Sequence, residues 1–249
     1  MPQPLISLGA KRHRADRRRS ARVTRAAVLC GLAAALLVGA GASPAVSAVG
    51  GRLGAVECST QAGPYQAVVE RHLGLAADGV QTPADCAAVQ RLQERNGLVP
   101  ASGYAGVETW RMVQYEEARA DPASLTGCPR DVTLVVCIDL ARQVLWVWDG
   151  RRVVFGPVPV RTGSGEFPTR TGRQRIYERV EEQWSDLYDA PMPFSQFFNG
   201  GQALHASYRT IWEEPGSHGC VNLRYDDAER LWNGLRLGDT VYAWGTRTA

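Results

Sequence analysis

The hydrophobic pattern of this chain changes its period once, and that change constrains the fold more than any other feature. Before Pro122 and Pro129 the apolar residues recur at helical spacing, whereas after them they alternate and are rich in β-branched residues. A chain of 249 residues can hold two such units, each with its own core. We therefore predict a small helical module over residues 58–120, followed by a mainly β domain over residues 130–246.

Three stretches of the helical module carry the apolar spacing of short helices. The first precedes the turn at Asp78-Gly79, and the third runs from Glu108 to Ala118. The second runs from Asp85 to Arg95 and ends at Asn96-Gly97, a sequence typical of a helix C-terminus. Three helices in about 60 residues bury only a small core, so a disulfide would help the module to stand alone.

The second region is predicted to consist of strands separated by turns. Two alternating runs, 143–148 and 151–160, flank Asp149-Gly150, a dipeptide that strongly favours a hairpin turn. One clear helix is predicted from Tyr225 to Leu235, with Asp226 as its N-cap and Glu229 as the return partner of a capping box. The other predicted strands are Val132–Leu140, Arg175–Val180, Ala203–Ser207 and Thr240–Trp244.

The first 48 residues have the three parts of an export signal. A basic stretch from Lys11 to Arg25 precedes an apolar run from Ala26 to Ala42, and small residues follow, ending at Ala48. We predict cleavage after Ala48. An uncleaved membrane anchor is the alternative, because the run is near the lower limit of ~17 residues for a span. The expected location is secreted, in the cell envelope, and peripheral to the outer face of the membrane at most.

Removing this leader reverses the sign of the net charge. The whole chain has a formal charge of +3, and the leader contributes +7, because its eight basic residues are opposed only by Asp16. The mature protein therefore carries about −4, the remainder when +7 is taken from +3. Nucleic acid is excluded as a partner, since its binding requires an excess of basic side chains.

Six cysteines become five once Cys30 leaves with the leader. An oxidising exterior favours disulfides and would leave one thiol over, which we identify as Cys220. An unpaired thiol in a secreted protein is a reactive group, a link to another chain, or an inert buried residue. Four cysteines allow three connectivities; the spacing suggests Cys58 with Cys86 and Cys128 with Cys137.

Two histidines flank this thiol. A cysteine attacks as its thiolate, and a thiol with the ordinary pKa of ~8.5 is only a few per cent ionised at neutral pH, so it needs a nearby imidazole. His205 ends a predicted strand fifteen residues before Cys220, and a return strand would bring both side chains to one sheet edge. His218 is better placed to shape the loop. Gly219 permits a sharp turn, after which backbone amides from His218 to Cys220 can converge on an oxyanion.

At these positions the chain resembles the L,D-transpeptidases with the catalytic domain called YkuD. The family signature is a histidine, a spacer, and then Ser/Thr-His-Gly-Cys with an apolar residue and Asn or Arg. His205 and the segment Ser217–Asn222 match it. Pro168–Gly172 and Met192–Phe194 are further points of likeness, and the resemblance covers about residues 132–244.

The resemblance implies a β-sandwich with one short helix, in which Cys220 is the nucleophile and His205 the general base. The carbonyl of Ala206 would orient that base, although the family usually has glycine at this position. The other implied site residues are His218 and Gly219 at the oxyanion site, and Ser217, Asn222, Arg224 and Ala206 as substrate contacts.

The implied reaction is acyl transfer on peptidoglycan stem tetrapeptides. Cys220 would attack the carbonyl of the third residue, a diamino acid, and release the terminal D-Ala. Passing the thioester to the side-chain amine of a neighbouring stem would form a 3→3 cross-link, whereas transfer to water would make the protein an L,D-carboxypeptidase. The resemblance implies no metal or organic cofactor, and it implies acylation by carbapenems.

Three alternatives stay open at this point. His205, His218 and Cys220 are residue types that bind zinc. A non-catalytic wall-binding protein with a relic site is the second alternative. The third concerns the helical module, where Asp78–Trp110 resembles the small peptidoglycan-binding module found beside wall enzymes. That module either contacts glycan or is a spacer that binds nothing.

Overall fold

The computed structural model describes residues 56–248. The predicted export signal, Cys30 included, lies outside this range. Among residues 56–248, no helix combines the length and the apolar character that a membrane crossing requires.

The three predicted helices of the N-terminal part are confirmed. Helix α2 begins with a capping box, in which Thr82 accepts from the amide of Asp85 and the Asp85 carboxylate accepts from the amide of Thr82. Helix α1 ends at Gly74, whose left-handed backbone favours glycine. The helices are α1 (Gln66–Leu73), α2 (Pro83–Arg95) and α3 (Val107–Ala120), followed by a 3-10 turn at Pro122–Ser124.

The rest of the described chain forms two sheets and one further helix, so the expected mainly β fold is confirmed. The elements are β1 (Val135–Asp139), β2 (Val144–Trp148), β3 (Val153–Pro159), β4 (Gly172–Arg175), β5 (Glu178–Ser185), β6 (Ala190–Asn199), β7 (Gln202–Ala206), β8 (Val221–Leu223), α4 (Tyr225–Gly234) and β9 (Thr240–Trp244). The first sheet has the order β3-β2-β1-β9-β4 and the second has the order β5-β6-β7-β8.

Strand pairing sets the position of the site. The predicted hairpin at Asp149-Gly150 is present as the antiparallel pair β2–β3. Strand β7 runs parallel to β8, and this register places His205 opposite Asn222. Cys220 directly precedes β8, so the two neighbouring strands bring the predicted base and nucleophile into the same part of the sheet.

Strand β1 is covered on both faces. Val136 and Ile138 point into a core that lies between the two sheets and includes residues of α4. Val135 and Cys137, which alternate with them, belong to a second core shared with the N-terminal helices. Burial on both faces explains why β1 is apolar at consecutive positions instead of alternating with polar residues.

The second core joins the helices to the β domain. Helix α3 lies against β2 and β3, and Trp212 is 1% exposed in the same cluster as Met112. The indole of Trp212 donates to the carbonyl of Asn96 at 2.9 Å, at the C-terminal end of α2. The loop that follows β7 is therefore packed directly against the helices.

Two details of the predicted elements are wrong. Helix α4 has Arg224 as its N-cap with no side-chain cap bond, so Asp226 is not the cap but lies in the first turn, where a carboxylate favours the helix dipole. The single strand predicted over 175–180 is two strands, because β4 ends at Arg175 and β5 begins at Glu178.

The cysteines form two close pairs. Cys58 and Cys86 lie at disulfide distance with their Cα atoms 5.9 Å apart, and Cys128 and Cys137 do so with a Cα separation of 5.7 Å. Cys220 is free. These are the pairs that the spacing suggests.

Candidate active site

The predicted nucleophile and base line one cavity of about 900 Å³. Cys220 and His205 enter it from the paired strands β7 and β8, together with Asn222. Ser217 and His218 line it as well, as do residues of the β5–β6 hairpin. The strand register thus assembles side chains that the sequence separates by up to seventeen positions, the distance from residue 205 to residue 222.

His205 is 7% exposed and has both ring nitrogens engaged. Its Nδ1 lies 2.7 Å from the carbonyl of Ala206, which can only accept, so Nδ1 carries the hydrogen. Its Nε2 lies 2.8 Å from Nδ2 of Asn222. Burial lowers the pKa of His205 to about 4, and the nearby charge of Arg161 adds to the effect. The imidazole is therefore neutral at neutral pH, with its lone pair on Nε2.

Cys220 is half-buried, and burial raises the pKa of its thiol. Its Sγ lies 3.9 Å from the carbonyl of Gly201, and none of the hydrogen bonds made by His205 reaches the sulfur. Thiol and imidazole are both neutral, so no thiolate–imidazolium pair is preformed. The proton must leave the thiol during attack.

The backbone before Cys220 is held from two directions. Thr169 donates its hydroxyl hydrogen to the carbonyl of Gly219 at 2.8 Å, while the amide of Gly219 donates to Oγ of Ser217 at 3.1 Å. Gly219 has φ +110°, and a Cβ there would collide with the side chain of Gln202. Glycine is thus required both by conformation and by space.

This arrangement decides which amides are free to face an oxyanion. The amide of Gly219 already donates to Ser217, whereas within residues 56–248 the amides of His218 and Cys220 make no hydrogen bond. In a trans peptide the carbonyl and the amide point in opposite directions, so Thr169, by holding the Gly219 carbonyl, directs the Cys220 amide away from itself.

The side chain of His218 lies on the cavity wall and, within residues 56–248, makes no hydrogen bond to the thiol. Its ring stacks on Tyr188 with centroids 4.4 Å apart and is tilted against Phe167 at 5.1 Å. His218 therefore links the Ser217–Asn222 segment to the β5–β6 hairpin, where Tyr188 lies in the turn.

Two predicted substrate contacts do not face the cavity. Arg224 donates to the carbonyl of Asn96 at 3.1 Å and lies over the rings of Tyr115 and Trp212. Ala206 is fully buried in β7, and its carbonyl is occupied by His205. Arg224 thus contacts the helical module, and Ala206 acts through its backbone.

Sequence reasoning missed Arg161, which follows β3 and lines the cavity while being 5% exposed. Its Nε and Nη2 donate to Oδ1 of Asn222 at 3.2 and 2.9 Å. Its Nη1 lies 3.6 Å from the carboxylate of Glu213. The one available signal was a charged residue directly after a buried apolar strand end.

Glu214 is a second residue that the sequence did not single out. It pairs with Arg111 of α3 and, at 2.9 Å, with Arg247 near the C-terminus. Arg111 also donates to the carbonyl of Thr248 at 2.6 Å. Two distant segments, α3 and the C-terminal residues, therefore meet at the loop that leads into Ser217–Asn222.

Across residues 56–248, no group of three or more His, Cys, Asp or Glu side chains is arranged to hold a metal ion. His205, His218 and Cys220, the ligand set of the zinc alternative, do not form such a group. His218 instead makes the aromatic contacts described above.

Comparison with known proteins identifies the family to which the domain around this cavity is similar. The model of the L,D-transpeptidase catalytic domain, YkuD, matches residues 133–242. An L,D-transpeptidase from Stackebrandtia nassauensis is 37% identical, with a TM-score of 0.56, and the match covers 76% of this chain and 95% of that one.

Two further solved structures are similar over different shares of the chain. An L,D-transpeptidase from Xylanimonas cellulosilytica is 26% identical, with a TM-score of 0.44, and the match covers 76% of this chain and 96% of that one. One from Mycobacterium tuberculosis is 18% identical, with a TM-score of 0.41 and coverage of 45% and 58%. A search of curated proteins found no match.

Proposed function

Since this chain belongs to the L,D-transpeptidase family, we propose that it forms 3→3 peptidoglycan cross-links through a thioester on Cys220, with His205 as the general base. The observation that carries the proposal is that Cys220, His205 and His218 line one cavity, while the amides of His218 and Cys220 make no hydrogen bond within residues 56–248. The substrates are peptidoglycan stem peptides, with a tetrapeptide as acyl donor.

The first step is proton transfer coupled to attack. Because Nδ1 of His205 is held by the Ala206 carbonyl, Nε2 is the nitrogen that accepts the thiol proton. In the free enzyme Nε2 receives a hydrogen bond from Asn222, so the thiol must share or displace that donor. The sulfur then forms a bond to the carbonyl carbon of the third stem residue.

The negative charge that develops on the carbonyl oxygen is stabilised by backbone amides. The amides of His218 and Cys220 are the available donors, and losing one such donor typically lowers the rate ~100- to 1000-fold. Gly219 contributes its conformation and not its own amide, which is bonded to Ser217. Ser217 thus orients the turn that presents the other two amides.

The tetrahedral intermediate collapses when the bond to D-Ala breaks. The departing amine takes the proton held by His205, which leaves a thioester and a neutral imidazole. The side-chain amine of a second stem then attacks the thioester and gives a proton to His205. Expulsion of the Cys220 sulfur, which regains that proton, completes the 3→3 link.

We place the enzyme outside the cytoplasm, in the cell envelope. The two cysteine pairs at disulfide distance support an oxidising location, and export through the leader at residues 1–48 accounts for it. The helical module over 58–120 and the catalytic domain over 130–246 share a core, which supports a bracing role for the module. Glycan contact by the module stays a prediction.

Mass spectrometry of the purified protein with muropeptide tetrapeptides tests the proposal. We expect an adduct of the tripeptide stem on Cys220, release of D-Ala, and cross-linked dimers. Cys220→Ala should abolish all three products. Tripeptide and D-Ala without dimers would instead make the protein an L,D-carboxypeptidase. Absence of D-Ala release by the wild type, or unchanged release by Cys220→Ala, would refute a cysteine-dependent reaction.

A further inference from the structure

A single line of hydrogen bonds crosses the cavity wall behind the proposed base. Arg161 donates twice to Oδ1 of Asn222, and Nδ2 of Asn222 lies 2.8 Å from Nε2 of His205. Nδ1 of His205 then donates to the carbonyl of Ala206 at 2.7 Å. Arg161, Asn222 and His205 are 5%, 4% and 7% exposed, so water does not compete freely for these bonds.

The Arg161 guanidinium at one end and the Ala206 carbonyl at the other allow the hydrogen bonds between them to run in only one direction. A guanidinium has donors and no acceptor, so Asn222 must turn its oxygen toward Arg161. The Asn222 amide nitrogen then faces His205, and an amide NH₂ can only donate. Nε2 of His205 must therefore be the acceptor, which places the ring hydrogen on Nδ1, opposite the Ala206 carbonyl.

We propose that Arg161 is a positioning residue that selects the tautomer of His205 by fixing the direction of the Asn222 amide. The proposal rests on the role of His205 as general base given above. Without Arg161 the amide is free to reverse, and its oxygen would then face Nε2. That orientation favours a hydrogen on Nε2, which removes the lone pair that accepts the thiol proton.

The same arrangement opposes protonation of His205. An imidazolium carries a hydrogen on each nitrogen, so Nε2–H would meet the NH₂ of Asn222, donor against donor. The positive charge of Arg161 also disfavours a second positive charge nearby. Arg161 thus keeps the base neutral as well as correctly oriented.

Charged and titratable groups reach this region from several elements. Cys220 precedes β8, and Arg161 follows β3. The loop after β7 supplies Arg209 and Glu213, which pair with each other beside Arg161. The remaining ionisable residues on the cavity wall are Glu166, Arg170, Asp186, Tyr188, Tyr208 and His218. Of the charged side chains, Arg161 alone is hydrogen-bonded to the residue that contacts Nε2.

Nitrogen-15 NMR of His205 and the pH profile of D-Ala release test the proposal together. In the wild type we expect hydrogen on Nδ1 alone and a titration midpoint near the pKa of about 4. Arg161→Met should mix the two tautomers, raise the midpoint by about one pH unit or more, and lower kcat/KM at neutral pH by about 100-fold. Arg161→Lys, which keeps a charged donor, should recover most of the wild-type tautomer.

Two further variants separate positioning from loss of stability. Arg247→Met removes another buried guanidinium that is not bonded to Asn222, so its His205 tautomer and midpoint should match the wild type. Asn222→Asp keeps the shape but presents an acceptor to Nε2, so it should protonate Nε2 and raise the midpoint even if Arg161→Met does not fold.

Wild-type tautomer and midpoint in a folded Arg161→Met would overturn the inference. If Arg161→Met does not fold, the same result in Asn222→Asp alone would overturn it. Failure of the wild type to release D-Ala would instead overturn the proposed function. The NMR measurement does not depend on turnover, so the two failures are distinguishable.

Discussion

The two walls of the cavity are built differently. The braced wall is formed by the two ends of the segment 207–217. The middle of that segment is packed against the helices through Trp212, which is 1% exposed, and is joined through Glu214 to two buried arginines. The hairpin wall, residues 184–191, ends in Leu187 and Tyr188, which are 80% and 47% exposed. The groups that must be preorganised for charge stabilisation follow the braced wall. The wall with few buried contacts is the one suited to move when a stem peptide enters.

The braced wall should be broken most severely by Glu214→Gln. The change leaves Arg111 and Arg247 buried beside a neutral partner, and breaking a buried ion pair typically costs about 3–5 kcal/mol. We expect a loss of this size in the free energy of unfolding, measured with urea, and a fall in kcat. Asp131→Asn is the control, because Asp131 and its partner Arg173 are 65% and 47% exposed and an exposed pair of this kind contributes little to stability. Equal losses in the two variants would show that Glu214 is not a brace.

Thr169→Val tests how strongly the hydrogen bond from Thr169 orients the Gly219–Cys220 peptide, which follows the braced wall. The variant keeps the side-chain shape but loses the bonds to the Gly219 carbonyl and the Gly163 amide. An unsatisfied buried partner costs about 1–3 kcal/mol, so the acylation rate should fall about 10- to 100-fold. Stopped-flow acylation measures it, and Thr169→Ser, which retains the hydroxyl, should stay close to the wild type. An unchanged rate in the valine variant would mean that the peptide is oriented by other contacts.

The hairpin wall should respond in binding and not in stability. Tyr188→Leu removes the stack on His218, and an aromatic pair is worth about 0.5–1.5 kcal/mol. We expect KM for the donor stem to rise about 3- to 10-fold with little change in kcat or melting temperature. Leu187→Ala, at the more exposed neighbouring position, serves as the control. A fall in melting temperature as large as that of Glu214→Gln would remove the distinction between the walls.

The smallest effect on kcat/KM is expected when the pH is lowered from 7 to 5.5. The base works when neutral, and with a pKa of about 4 His205 stays neutral until the pH falls toward that value. Between pH 7 and pH 5.5, kcat/KM should change less than about twofold, whereas a histidine with the ordinary pKa of 6.5 would lose about tenfold. A pH profile of kcat/KM that bends near pH 6.5 would mean that the His205 imidazole is not desolvated.

Local patterns predicted much of the fold. The turn at Asp149-Gly150 was predictable because Gly150 adopts its left-handed backbone, at φ +87°, without support from distant residues. The long β5–β6 hairpin was not, because β5 is mostly polar and exposed and leaves no apolar alternation to detect, and because β6 contains two prolines, which are unusual within a strand.

Predicting the site had a similar limit. His205 and Cys220 lie in a recognisable order along the chain, so their meeting was predictable. Arg224 was expected at the substrate but contacts Asn96, 128 positions away, and no local pattern reports such a contact. Arg161 was missed for the same reason, since its partner Asn222 is 61 positions away.

Strand β1 limits how this enzyme can be rearranged by recombination. One face of the strand belongs to the core between the sheets, but the other is completed by residues from the N-terminal helices. A catalytic domain transplanted without its own helices would present Val135, Val144 and Trp146 to water as a continuous apolar surface. The helical segment and the sheet are therefore expected to be inherited as one unit, and a chimaera should be soluble only when both sides of that contact come from the same parent.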